Sequence, residues 1–113
     1  MNINKLVSKL NFKWAGNYVM GIAIDSKSKE VLMCAFMNKE AVRKTLETGY
    51  AHYYSTSRKK LWKKGEESWN VQEIIKIIPD CDNDTLLLIV KQKGVACHTG
   101  NKTCFFQENI FKK

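Results

Sequence analysis

Apolar residues at Ile3, Leu6, Val7 and Leu10 recur at helical spacing and predict a short amphipathic helix at the start of the chain. The period then changes. Tyr18 to Ile24 predicts a strand, and Asp25-Ser26-Lys27-Ser28 predicts a turn. The nearly unbroken apolar run Val31 to Met37 predicts a second strand, buried on both faces. A helix follows, with Asn38 as N-cap, Glu40 in the first turn and Gly49 where a C-terminal cap belongs. Ala41, Val42, Thr45 and Leu46 line one face of it. Tyr50 to Ser55 is aromatic-rich and predicts a strand, whereas Ser57 to Ser68 is polar, basic and predicts a long loop. Val71 to Ile78 and Thr85 to Val90 predict strands flanking Pro79-Asp80-Cys81-Asp82-Asn83-Asp84. Ala96 to Cys104 predicts a loop, after which Phe105 and Phe106 pack back on the core. Connections this short exclude several parallel crossovers. The expected fold is strand-rich α+β, one compact domain over residues 1–113 with an antiparallel, curved sheet and one or two short helices.

Length and composition narrow the function. A chain of 113 residues has room for one modest core, which a metal or a partner subunit would help to stabilise. Hydrophobic content of 44% with 27% charged residues is that of a soluble globular protein rather than a disordered one. No apolar run is long enough to span a bilayer, and Met1-Asn2-Ile3-Asn4-Lys5 lacks the apolar core of a secretory signal. A cytoplasmic protein with no membrane partner is expected. In that reducing compartment Cys34, Cys81, Cys97 and Cys104 read as metal-binding, catalytic or packing residues, not as a disulfide framework. The formal charge of +8 draws anions, whether nucleic acid, anionic lipid or a phosphorylated small molecule.

Two clusters carry candidate chemistry. Asp80, Asp82 and Asp84 alternate with Cys81 and Asn83, so an extended backbone would gather the carboxylates on one face and turn the thiol to the other. Hard oxygen ligands suit Mg²⁺, Mn²⁺ or Ca²⁺, and a thiolate suits Zn²⁺. The same triplet also reads as a solvated acidic turn. An EF-hand is excluded, because Thr85 and Lys91 replace its Gly and Glu. Cys97 and Cys104 frame a Gly-containing loop and read either as buried thiols or, with Cys81, as three ligands of a metal. Three protein ligands leave a position open, as catalytic zinc does, whereas structural zinc is enclosed by four. Cys34, inside an apolar strand, reads as a packing residue. His98 is placed to be a general base or proton shuttle beside such a metal, or else to bond its own loop. His52, in an aromatic strand, reads as structural. The basic run Arg58 to Glu66, with Trp62 inside it, reads as a phosphate-and-base surface or as a solvated face.

Taken in order, these segments resemble the phosphoribosyl-AMP cyclohydrolase family of histidine biosynthesis. The matching pieces are Val31-Leu32-Met33, Ala35-Phe36-Met37-Asn38, Glu40-Ala41, Thr45-Leu46 and Thr48-Gly49. Tyr54-Ser55, Ser57-Arg58, Leu61-Trp62, Lys64-Gly65-Glu66 and Gln72 follow, then Asp80-Cys81-Asp82, Asp84-Thr85-Leu86, Ala96-Cys97-His98-Thr99-Gly100 and Cys104-Phe105. The resemblance implies a zinc-dependent hydrolase that opens the C6–N1 bond of the adenine ring in 1-(5-phosphoribosyl)-AMP. It implies an intertwined homodimer with shared active sites and one Zn²⁺ per subunit. Cys97, Cys104 and the other subunit's Cys81 would hold zinc, and Asp80, Asp82 and Asp84 would hold Mg²⁺. His98 is then the catalytic residue, with Ser57, Arg58, Trp62 and Lys64 as substrate contacts. Thr56, Trp69 and Asn83 depart from the family pattern, standing for a usual Arg, Gly and Gly. No fused pyrophosphohydrolase domain is expected. The competing expectation is a small basic zinc module that binds nucleic acid.

Overall fold

A computed structural model describes residues 2–111. Two helices and six strands alternate along it: α1 (Ile3–Ser8), β1 (Val19–Asp25), β2 (Val31–Met37), α2 (Lys39–Thr48), β3 (His52–Ser55), β4 (Lys60–Lys63), β5 (Gln72–Pro79) and β6 (Thr85–Gln92). Both helices start where a side chain can replace a missing carbonyl. The Asn2 side chain accepts from the Lys5 amide at 3.0 Å, and Asn38 accepts from the Ala41 amide at 2.8 Å. At the far end of α2, Gly49 has φ +77°, and its amide donates to Thr45 at 2.9 Å.

Four strands form one sheet in the order β2-β1-β6-β5, and β3 with β4 forms a two-stranded ribbon. β2 and β5 run antiparallel to their neighbours, while the central strands β1 and β6 pair in parallel from Met20↔Thr85 to Asp25↔Val90. The strand-rich α+β class stands, but the sheet is mixed and not antiparallel as expected, because the chain between β1 and β6 is long enough for a single parallel crossover. Alternate residues of the central strands bury one face: Val19 and Ala23 from β1, and Leu86, Leu88 and Val90 from β6. Ala41 and Val42 of α2, Val7 of α1 and Tyr53 of β3 close over that face.

Three further expectations change. The segment Ser57 to Ser68 is not a loop throughout; β4 pairs with β3 in the register Tyr53↔Trp62, and the two rings lie 5.2 Å apart. β2 is an edge strand, with Val31 and Cys34 exposed, because helices cover only one face of the sheet. Phe105 and Phe106 do not return to the core; they are 63% and 47% exposed. The segment is anchored instead by Thr103, whose hydroxyl donates to the Val31 carbonyl at 2.7 Å.

Candidate active site

The Asp80–Asp84 segment is a turn between β5 and β6, not the extended strand that alternation required. The turn brings the three carboxylates together by another route. The Asp80 side chain accepts from the amides of Asp84 and Thr85 at 3.1 and 3.2 Å, and the Asn83 amide donates to the Asp80 carbonyl at 3.2 Å. Asn83 takes φ +62°, a left-handed backbone that Asn tolerates and that a Gly would adopt freely. One oxygen from each of Asp80, Asp82 and Asp84 then lies within 4.8 Å of the others. Oxygen donors so spaced fit a hard divalent cation.

Lys13, which the sequence reading did not single out, reaches this cluster. Its ammonium lies 3.1 Å from Asp82 and 3.0 Å from Asp84. Asp84 is buried, and burial, the largest single influence on it, pushes its carboxyl up; the hydrogen bonds with Lys13, Asp82, Asp80 and Thr85 together outweigh this and hold it below the ordinary carboxylate range. The same bonds, to Asp84 and then Asp82, raise the Lys13 ammonium. No spacing rule links residue 13 to residue 84. The connection is tertiary, through the Asn11 amide on the Asn83 carbonyl at 2.8 Å and the Met20 amide on Asp84 at 3.0 Å.

The cysteine loop hangs from the other end of β6. Its amides close it locally: Ala96 donates to Lys102 at 3.0 Å, Cys97 to Asn101 at 3.1 Å, and Gly100 to Cys97 at 3.0 Å. The Cys104 amide then joins it to β2 through the Leu32 carbonyl at 2.8 Å. The Thr99 hydroxyl lies 2.9 Å from the Cys97 sulfur and, with the Thr99 amide, lowers that thiol's pKa. Burial raises the Cys104 thiol, which also hydrogen-bonds to Cys97. Adjacent thiols, one already biased toward thiolate, fit a soft cation such as zinc.

Cys81 does not join them. It is exposed in the acidic turn, and among the described residues the aspartates alone gather three metal-ligand atoms. The turn precedes β6 and the loop follows it, so the length of that strand separates them, roughly 25 Å at the rise of an extended chain.

A cleft of about 680 Å³ opens beside the cysteine loop. His98 lies on its rim, exposed, and Ser57, Arg58, Trp62 and Lys64 line it. Three stretches of chain, residues 35–36, 54–68 and 98, are thus brought together. Phe36 and Tyr54 line it too, and Tyr18 packs between their rings, at separations of 5.2 and 5.5 Å. Trp62 is partly committed to the core through Tyr53, and the Lys64 ammonium donates to the Ala96 carbonyl. His52 lies outside the cleft lining, beneath α2. Its Nδ1 lies 2.8 Å from the Tyr50 carbonyl, and burial lowers its pKa. Trp69, 82% exposed at φ +66°, keeps a left-handed backbone, so the departure from Gly leaves a glycine-like path there.

Comparison with known proteins supplies the family. The family model for phosphoribosyl-AMP cyclohydrolase matches residues 33–106. A phosphoribosyl-AMP cyclohydrolase of Methanocaldococcus jannaschii is 59% identical over 109 residues, covering 93% of this chain and 85% of that protein. One from Clostridium botulinum is 49% identical over 108 residues, covering 96% and 99%. The histidine biosynthesis bifunctional protein HisIE of Pyrococcus furiosus is 51% identical over 108 residues, which is 96% of this chain and 51% of that protein. The matched region contains α2, the cleft and both clusters of candidate ligands, and on that ground the chain belongs to the phosphoribosyl-AMP cyclohydrolase family of enzymes.

Proposed function

We propose that this protein hydrolyses the adenine ring of 1-(5-phosphoribosyl)-AMP in histidine biosynthesis, as a cytoplasmic, zinc-dependent homodimer. The observation that carries the reading is the split of the soft donors: Cys97 and Cys104 at one end of β6, Cys81 at the other. No single chain closes that set, but two copies related by a two-fold axis would close it twice. Exposed Ile75 and Ile78 on the edge strand β5, with Phe105 and Phe106, supply apolar surface for such a contact. Among the described residues no helix is long and apolar enough to cross a membrane.

Cys97, Cys104 and Cys81 of a second copy would hold Zn²⁺, and Asp80, Asp82 and Asp84 would hold Mg²⁺. The zinc supplies Lewis acidity near neutral pH when bound. The rest of the chemistry falls to the chain. Arg58 and Ser57 meet phosphate at the mouth of the cleft, and the rings of Phe36 and Tyr54 receive the base. A water attacks C6, and His98 takes its proton at the imidazole and returns a proton to N1. The C6–N1 bond breaks. C6 keeps the water oxygen as a carboxamide, N1 keeps the hydrogen, and the atoms of one water are accounted for.

An ultraviolet assay of ring opening tests this directly. Turnover is expected with Zn²⁺ and Mg²⁺, and chelation should abolish it. No turnover with both metals restored refutes the reading. Shared sites have their own test: C81A and C97A proteins should each be inactive. Mixed and allowed to exchange subunits, they should regain about a quarter of wild-type activity, since half the dimers then carry one intact site of two. No recovery after demonstrated exchange refutes the shared site.

A further inference from the structure

Lys64 is the side chain that reaches from the ribbon to the cysteine loop. Its amide donates to the Ala51 carbonyl at 3.0 Å, so the residue leaves β4 from a fixed point. The half-buried side chain crosses the Trp62 ring, with the ammonium 5.9 Å from its centroid. Nζ ends on the Ala96 carbonyl, the peptide that immediately precedes Cys97. Held on that carbonyl, its charge is felt at both thiols, lowering Cys97 and Cys104 toward the thiolate. Thr103 and the Cys104 amide hold the far end of the loop on β2, and Lys64 holds the near end.

We propose that Lys64 is a positioning residue for zinc, fixing the main chain ahead of Cys97 and supplying a counter-charge to the thiolates. The proposal rests on the reading of Cys97 and Cys104 as zinc ligands. Three thiolates bring one more negative charge than Zn²⁺ neutralises, and a cation held beside them in a partly dry site offsets the excess. Lys64, expected among the substrate contacts, lines the cleft, and its ammonium is held on a carbonyl of the metal loop as well. Groups that orient metal ligands in this way characteristically matter about 10- to 100-fold in affinity.

The test is zinc affinity, measured by competition with a chromophoric chelator on the intact protein, with the absorption spectrum of the Co²⁺-substituted form alongside. K64M is expected to bind Zn²⁺ about 10- to 100-fold more weakly and to shift or weaken the cobalt–thiolate bands. K63M removes the same charge from a neighbour whose ammonium lies over the Tyr50 ring, and is expected to keep wild-type zinc affinity. Unchanged zinc affinity in K64M overturns the proposal, as does a raised KM without loss of affinity. Should K64M fail to fold, K64Q, a shorter side chain that keeps an N–H donor without the charge, decides by the same criterion. A wild-type protein that binds no stoichiometric zinc overturns the zinc reading itself, an outcome visible before any variant is made.

Discussion

Replacing Gly65 by alanine should be far costlier than replacing Gly49, although both glycines have a left-handed backbone at φ +82° and +77°. Alanine in that conformation costs about 1–2 kcal/mol, offset by about 0.4–1 kcal/mol because the unfolded chain becomes less free. Around Gly49 nothing lies within 4 Å of an added Cβ, so G49A meets only this net cost, roughly 1 kcal/mol. At Gly65 the added carbon would lie 2.4 Å from the Asn70 carbonyl carbon and 2.5 Å from the Val71 nitrogen. Both are backbone atoms. They can yield only by moving the turn that follows β4, and overpacking of that kind adds about 1–3 kcal/mol. The expected total for G65A is about 2–4 kcal/mol, a drop of roughly 10–20 °C in Tm against roughly 3–6 °C for G49A. Thermal melts and urea titrations of the two variants, followed by circular dichroism at matched concentration, measure the difference. G65A melting no lower than G49A would refute the close approach of residues 65 and 70.

Lys13 occupies carboxylate oxygens that a divalent cation would need. K13M should therefore tighten Mg²⁺ binding by roughly two- to fivefold, the scale of an exposed ion pair, as read by isothermal titration. Weaker binding would show that Lys13 supports the site instead of competing for it. His52 is held neutral by burial, so its folded pKa lies below the unfolded value of about 6.5. Its contribution to stability is full above that value and is lost as the pH falls through the folded pKa. Melting temperatures taken from pH 7.5 to 5 should decline, and H52Q should decline less; parallel curves would refute the assignment.

Much of the architecture was legible because local rules and tertiary structure agree. The Asn38 cap, the buried face of α2 and the Gly49 stop depend on residues three or four apart, and each stands where the pattern placed it. β1 and β2 were readable from their apolar runs to within a residue. The ribbon strand β4 was not, because Lys60, Lys63 and Lys64 hide a pairing that becomes visible only when Tyr53 lies opposite Trp62. Phe105 and Phe106 misled for the reverse reason: apolar character predicts burial, but only the course of the chain decides whether a core is within reach.

The sequence by itself determined the donor types, soft thiols and hard carboxylates, and their order along the chain, since ligand chemistry is a property of the side chain alone. It also carried the family resemblance. Only the tertiary structure decided how those donors meet. The three carboxylates converge because a turn folds them toward one another, not because a strand alternates them. Lys13 and Lys64 acquire their places through contacts across 69 and 32 residues, which no local period encodes. Cys81 is parted from Cys97 and Cys104 because β6 runs between them, and a strand is a rigid spacer.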